Sequence, residues 1–372
     1  MDLNQTEEQR LIQQTARAFF SDKLPLSDVR LAESGTPIDV AGLWKDIADL
    51  GWTSMTIDVE QGSASGSFLD QCILLHEFGR ALAPLPYRST CIEAARVIDA
   101  ADTEKIHSDV IRRIGRGEAI VVLAVDEVGR DSFPRSIQTR AARDGSGFVL
   151  SGRKIFVPFA DIADQLICVA RLPDNSVGLF LVEASAAGLG VQNIRELSED
   201  GTSFEVTLDQ VRVSADRAIG TPADTLRALE TANEFATVAL CAEMWGAMDQ
   251  VLKMTVSYAQ NRVQFGRPIG SFQAVQSLCV DMLEYTEGAS HIIHEAAWRL
   301  QEGLPASQAV AMARGWVAEG LGIVAQNGHQ VHGAIGFTLE HDLQLFSRRM
   351  LVAQGILGSF RDSAAEVLQL SA

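Results

Sequence analysis

Between Ala119 and Val213 the chain runs through short β-branched and aromatic segments: AIVVLAVDE, GFVLSG, KIFVPF, QLICVAR, VGLFLVE and TSFEVTLDQVRV. Gly, Asp, Asn or Ser separates them, and no helical pattern falls between them. The sequence on either side repeats its apolar residues at helical spacing. Strands joined without intervening helices exclude a repeated βαβ unit and predict antiparallel pairing. The predicted fold class is therefore α+β. An N-terminal helical domain spans 1–118, a central antiparallel β-domain 119–215, and a C-terminal four-helix bundle 216–372.

In the first segment LIQQTARAFF and DVAGLWKDIADLGW read as helices, with Pro25, Pro37, Pro84 and Pro86 punctuating the connections. The tract EQGSASGSF, from Glu60, reads as a polar flexible loop. In the last segment the pattern predicts helices from about Thr221 to Asn261, Phe272 to Glu302, Pro305 to His332, and onward from Leu343. Long helices joined by short loops predict an antiparallel bundle.

A formal charge of −17 argues against a nucleic-acid partner, whose phosphates require a basic surface. The five cysteines form no C-x-x-C pair, so free thiols in a reducing compartment are expected. The polar, acidic start MDLNQTEEQR is not a signal peptide, and no apolar run is long enough to span a bilayer. A cytoplasmic protein without membrane contact is the expectation. No G-x-G-x-x-G, Walker A or G-x-S-x-G string occurs. His329, His332 and His341 with Asp342 have the spacing of a metal cluster, but a structural role outweighs it, and no metal site is predicted.

The stretch Asn261–Gln276, NRVQFGRPIGSFQAVQ, carries the sharpest signal. Counting back from Arg262 in steps of three and four gives Tyr258, Thr255, Val251, Met248, Met244 and Cys241, one face of a helix. Arg262 and Phe265 continue that face, which predicts an arginine directed into a packed interface. Such a guanidinium needs an anion: a pyrophosphate or a structural carboxylate.

YAQNRVQFGRPIGSFQAVQ, from Tyr258, resembles the Arg-x-x-Phe-Gly segment of acyl-CoA dehydrogenases, and QVHGAIGFTLEHDL, from Gln330, resembles their Gln-x-x-Gly-Gly-x-Gly-Phe segment. IADLGW and HEFGRALAPLPY, from His76, are similar to the family near its N-terminus. The resemblance covers nearly the whole chain. It implies an FAD-dependent enzyme acting on an acyl-CoA thioester, with electron-transferring flavoprotein as acceptor. It also implies that Arg262, Phe265, Gln273, Gln330, Gly333 and Ala334 bind the pyrophosphate and adenine half of an FAD whose ring sits mainly on a neighbouring subunit. Ala334 replaces the second glycine of the usual pair.

The resemblance also locates what is missing. The family's glutamate base falls at Leu357, or in a minority of members at Ala236, and neither is acidic. Asp126, Glu127, Val128 and Gly129 stand where Thr-Glu-Pro-Gly meets the flavin, and Phe156, Val157 and Pro158 stand where Trp-x-Thr does. The expectation is a subunit with no catalytic residue of its own. It would resemble one half of the heterotetrameric (α2β2) bacterial enzymes that shorten sterol side chains, beside a homologous partner carrying the glutamate. Two alternatives stand: a homotetramer with a relocated base at Glu234 or Glu243, and a flavin-free scaffold. Poor solubility without the partner is expected, because an unfilled interface exposes apolar surface.

Overall fold

The computed structural model describes residues 5–33, 35–59, 66–129, 136–198 and 201–371. Part of the predicted loop at Glu60, residues 60–65, lies outside them. The N-terminal elements are α1 (Glu7–Lys23), α2 (Leu26–Glu33), α3 (Val40–Asp49) and α4 (Phe68–Ala81), followed by a π-helical segment (Arg88–Ala94), α5 (Ala95–Ala101) and α6 (Ser108–Gly115). Local chemistry sets several starts. Thr6 and Ser67 each form a capping box, with Gln9 and Asp70 returning the bond, and Asp39 caps α3. Phe20, Trp52, Phe78 and Tyr87 pack ring on ring beneath these helices.

The middle holds β1 (Val121–Ala124), β2 (Arg140–Asp144), β3 (Gly147–Pro158), β4 (Gln165–Arg171), β5 (Val177–Glu183), β6 (Leu189–Asn193), β7 (Ser203–Val213) and β8 (Ala218–Ile219). They form one sheet in the order β6-β7-β3-β2-β4-β5-β8, with β1 also on β4. The antiparallel expectation holds for β2–β3, β3–β7, β4–β5, β5–β8 and β6–β7. It is corrected at β1, which runs parallel to β4, and at the single β2–β4 bridge, so the sheet is mixed. The physical reason is coverage. β4 and β5 are buried on both faces, as their continuous apolar runs allow. One face joins the helical core through Ile167, Val169, Leu179 and Leu181; the other closes a second core with Leu150, Val206 and Val211.

The C-terminal helices are α7 (Pro222–Asn261), α8 (Gln273–Gln301), α9 (Ser307–His332), α10 (Leu343–Leu357) and α11 (Phe360–Leu370), with the hairpin β9 (Val263–Gln264) and β10 (Arg267–Pro268) joining α7 to α8. The last predicted helix is thus two, broken at Gly358, whose φ of +80° no helix continues. α7 is the spine, about 60 Å long at 1.5 Å per residue. Cys241, Met244, Met248, Val251 and Thr255 are buried along it as the stripe predicts. It crosses α4 with backbones touching, because Gly79 faces the Glu243 carbonyl and Gly246 faces that of His76.

That crossing carries a charge network. Glu77 receives Arg17 Nε at 3.0 Å and Nη2 at 2.7 Å, and His76 Nδ1 donates to it at 3.0 Å. Arg80 also pairs with Asp249 of α7, and Trp245 packs on the His76 ring at 4.0 Å.

Candidate functional site

α7 ends at Asn261, and its terminal carbonyls are served by the Arg262 N–H, which donates to Tyr258 O at 2.8 Å. Arg262 itself is extended (φ −75°, ψ 119°). It therefore leaves the helical stripe, and its side chain is exposed on this chain. The prediction of an arginine pointing into packing is corrected here: the helix stops one residue too early to carry it there.

The residues after Arg262 turn back at once. β9 and β10 pair Gln264 with Arg267, leaving Phe265 and Gly266 as a two-residue loop with φ of +53° and +79°. Two positive φ values match the type I′ turn that a tight hairpin requires. Phenylalanine is a poor residue for that conformation, and Phe265 is also 91% exposed, its ring edge-on to Phe272 with centroids 6.1 Å apart. A strained, solvated aromatic contributes nothing to the lone chain. Phe265→Gly is expected to raise the chain's own stability by about 1 kcal/mol, read from the urea midpoint; a fall would mean the ring is packed.

Gln273 is the first residue of α8 and Gln330 lies in the last turn of α9; both are exposed. Gly333 ends α9 at φ +66°, ψ −144°, a conformation open to glycine, and Ala334 follows in an exposed 3-10 turn. These segments meet at one end of the bundle. Tyr258 stacks on His332 at 4.5 Å, His341 meets His332 edge-on at 4.9 Å, and Asn327 Nδ2 donates to Leu278 O at 3.3 Å. The histidines weighed for metal serve this junction. His332 Nδ1 donates to Gly328 O at 2.8 Å, His329 Nε2 to Ser347 at 2.9 Å, and His341 Nδ1 accepts from the Leu343 N–H at 3.1 Å. Among the described residues no group of three or more His, Cys, Asp or Glu could hold a metal. At the base of the tip is a cleft of about 530 Å³ lined by Lys253, Tyr258, Asn261, His332 and His341.

A second region lies between the helical and β layers. Lys154 is fully buried, donating to Glu127 Oε1 at 2.6 Å and Val125 O at 3.0 Å. Burial pushes the Glu127 carboxyl up, but the Lys154 bond and charge with the Gln138 and Thr139 N–H groups outweigh it and hold it below the usual range. Burial raises the Asp126 carboxyl, and Lys154 only partly offsets that. Glu93 is raised in the same way, against the pull of Arg88. The sequence reading missed the Lys154–Glu127 pair, although the inward alternation Phe148, Leu150, Lys154 of β3 pointed to it. Phe156 falls in the irregular part of β3, at φ +53°, and is half exposed; Pro158 pairs with Ser203.

The two positions at which the resemblance expects a base, Leu357 and Ala236, are apolar. Leu357 is buried in the last turn of α10, and Ala236 is partly buried on α7. Glu234 accepts from Ser307 Oγ at 2.6 Å, and Glu243 lies 3.9 Å from Arg88 Nε. Both glutamates therefore have structural partners.

Three sequence families match this chain in order: Acyl-CoA dehydrogenase, N-terminal domain, over residues 6–118; middle domain, over 123–211; and C-terminal domain, over 227–360. Acyl-CoA dehydrogenase FadE27 of Mycobacterium tuberculosis is 29% identical over 313 residues, covering 82% of this chain and 81% of its own. The ChsE4-ChsE5 complex from Mycobacterium tuberculosis superposes with a TM-score of 0.88 at 25% identity, over 99% of this chain and 98% of that one. The Tcur3481-Tcur3483 steroid ACAD superposes at 0.85 with 29% identity, over 98% and 97%. Among the described residues no helix is long and apolar enough to cross a membrane. With matches to all three domains spanning most of its length, the chain belongs to the acyl-CoA dehydrogenase family, whose cofactor is FAD.

Proposed function

We propose that this chain is the non-catalytic subunit of a heteromeric acyl-CoA dehydrogenase, completing the FAD site of a homologous partner that carries the glutamate base. One contrast carries the reading. The tip offers an exposed arginine, two amides and a glycine backbone, and holds Phe265 strained in solvent, while neither family base position is acidic. Strain kept at an exposed loop is the signature of a contact made elsewhere.

The donor set fits the pyrophosphate and adenine half of FAD. Arg262 would hold phosphate oxygens, Gln273 and Gln330 would hydrogen-bond polar edges, Phe265 would pack on the cofactor or its protein cover, and Gly333 with Ala334 would allow close backbone approach. Bound FAD supplies the hydride acceptor for oxidation of a CH–CH bond, and the partner's carboxylate takes the α-proton. On this chain's own ring side, Pro158 has neither a hydroxyl nor an N–H to offer. Glu127 is engaged with Lys154 and the adjoining backbone. The three units are taken as 1–118, 119–215 and 216–372, and the assembly is placed in the cytoplasm as α2β2 with electron-transferring flavoprotein as acceptor. The similarity to a steroid ACAD and to the ChsE4-ChsE5 complex supports a bulky steroid side-chain acyl group as substrate.

The test is flavin absorbance of the co-purified complex. About one FAD per two chains is expected, and Arg262→Ala is expected to remove most of it; four FADs per tetramer, or full FAD in the variant, would overturn the reading. Glu234→Gln and Glu243→Gln are expected to leave turnover unchanged. Loss of activity in either would restore the self-sufficient enzyme.

A further inference from the structure

Four partly buried arginines are met by carboxylates: Arg17 by Glu77, Arg80 by Asp249, Arg88 by Glu93, Arg314 by Glu366. Arg96 of α5 is different. Among the described residues its guanidinium has no hydrogen-bond or ion-pair partner. Its contact is with a ring: the guanidinium carbon lies 4.3 Å from the Phe235 centroid, and Phe235 in turn meets Phe68 at 4.7 Å. Burial lowers its pKa, with Asp99 opposing, but Asp99 is engaged by Lys105 Nζ at 2.8 Å. A cation–π contact offsets only part of the cost of taking a guanidinium out of water.

Arg96 faces a cavity of about 190 Å³ between α4, α5, α7 and the end of α8, lined also by Thr56, Ser67, Phe68, Phe235, Leu300 and Gln301. That is the liquid volume of about six waters at ~30 Å³ each. Its walls divide by chemistry. Phe68, Phe235 and Leu300 are apolar, whereas Thr56 and Gln301 add neutral hydrogen-bonding groups beside the single cation. A phosphate dianion would need a second positive charge, which the described lining does not offer. A planar monoanion with an apolar body satisfies the guanidinium fork and the rings together.

We propose that this cavity is a binding site for a small organic monocarboxylate, the carboxylate held by Arg96 and the body packed between Phe68, Phe235 and Leu300. No tip residue lines it, so the site does not rest on the flavin reading.

The test is titration calorimetry on the full-length chain, with its partner where solubility requires, using sodium benzoate, sodium butyrate, benzamide and inorganic phosphate. Saturable binding of benzoate or butyrate is expected, with benzamide and phosphate at least tenfold weaker. Arg96→Gln is expected to weaken the carboxylate at least tenfold. Gln301→Glu, at an exposed position that does not stress the fold, puts a competing carboxylate in the cavity and is expected to do the same; it decides alone if Arg96→Gln does not fold. Equal binding of benzamide, preference for phosphate, unchanged affinity in Gln301→Glu, or no saturable binding of either carboxylate would overturn the proposal.

Discussion

Alanine at Gly246 is expected to destabilise the chain by about 3 kcal/mol or more, enough to prevent recovery of folded protein. A Cβ built there lies 1.8 Å from the His76 carbonyl oxygen, and one built at Gly79 lies 1.7 Å from that of Glu243. Both obstacles are backbone, so no side chain can swing away, and α4 and α7 would have to separate along their whole contact. Separation would also pull His76 and Arg80 from Asp249 and loosen the Trp245 contact. The control is Gly355→Ala on α10. Its Cβ meets nothing within 4 Å, and the substitution is expected to stabilise by about 0.5–1 kcal/mol through helix propensity. Urea midpoints of the two variants measure the contrast. A Gly246→Ala protein as stable as the parent would mean the helices do not cross at backbone distance.

Acid is expected to remove on the order of 3 kcal/mol of stability through Glu77 alone. Burial by itself would raise this carboxyl. The hydrogen bonds from His76 and Arg17, with their charges, outweigh it and hold the pKa at about 2, against an ordinary value of 4.5. A carboxyl depressed on folding contributes fully above its unfolded pKa, and the contribution drains as pH falls through the folded one. The window is therefore pH 4.5 down to about 2. The side chain is 1% exposed, so little solvent screening intervenes. Burial lowers the His76 pKa against the pull of Glu77 and Asp249, whereas the Arg17 guanidinium stays charged through the whole window. Chemical denaturation of the parent and Glu77→Gln at pH 6 and pH 3 separates this group from the other acids. The stability gap between them should shrink by about 2 kcal/mol at the lower pH, and a constant gap would mean Glu77 is not the depressed carboxyl. Arg17→Met, leaving the buried carboxylate with His76 and Arg80, is expected to cost about 3 kcal/mol at pH 7.

Neither effect was visible in the amino-acid order. HEFGR reads as a helical stretch with an interior glycine, and nothing in it says that Gly79 will meet Glu243. Lys154 sat on the inward parity of β3, yet its partner Glu127 follows β1, 27 residues earlier in the chain. Arg96 reads as an ordinary helical arginine until the Phe235 ring and the cavity are placed beside it. The long helices, by contrast, were legible almost to the residue, although the last predicted one is two. α7 runs from Pro222 to Asn261 and α8 from Gln273 to Gln301, because proline and glycine punctuate the apolar period at both ends. The tip was legible as a motif, but its state was not. The stripe placed Arg262 in packing, and the chain's own geometry leaves it in solvent.

By itself, then, the sequence determined which of the long segments are helix or strand, which face of each is apolar, and that the segments around Arg262, Gln273 and Gln330 resemble a family motif. Periodicity encodes a face and glycine encodes a turn, since both act within a few residues. Tertiary structure alone decided what each face meets: β1 beside β4 in parallel, α4 against α7 at backbone distance, and Arg96 against the Phe235 ring. Those choices depend on volumes and charges contributed by residues far apart in the chain, and no local pattern carries that information.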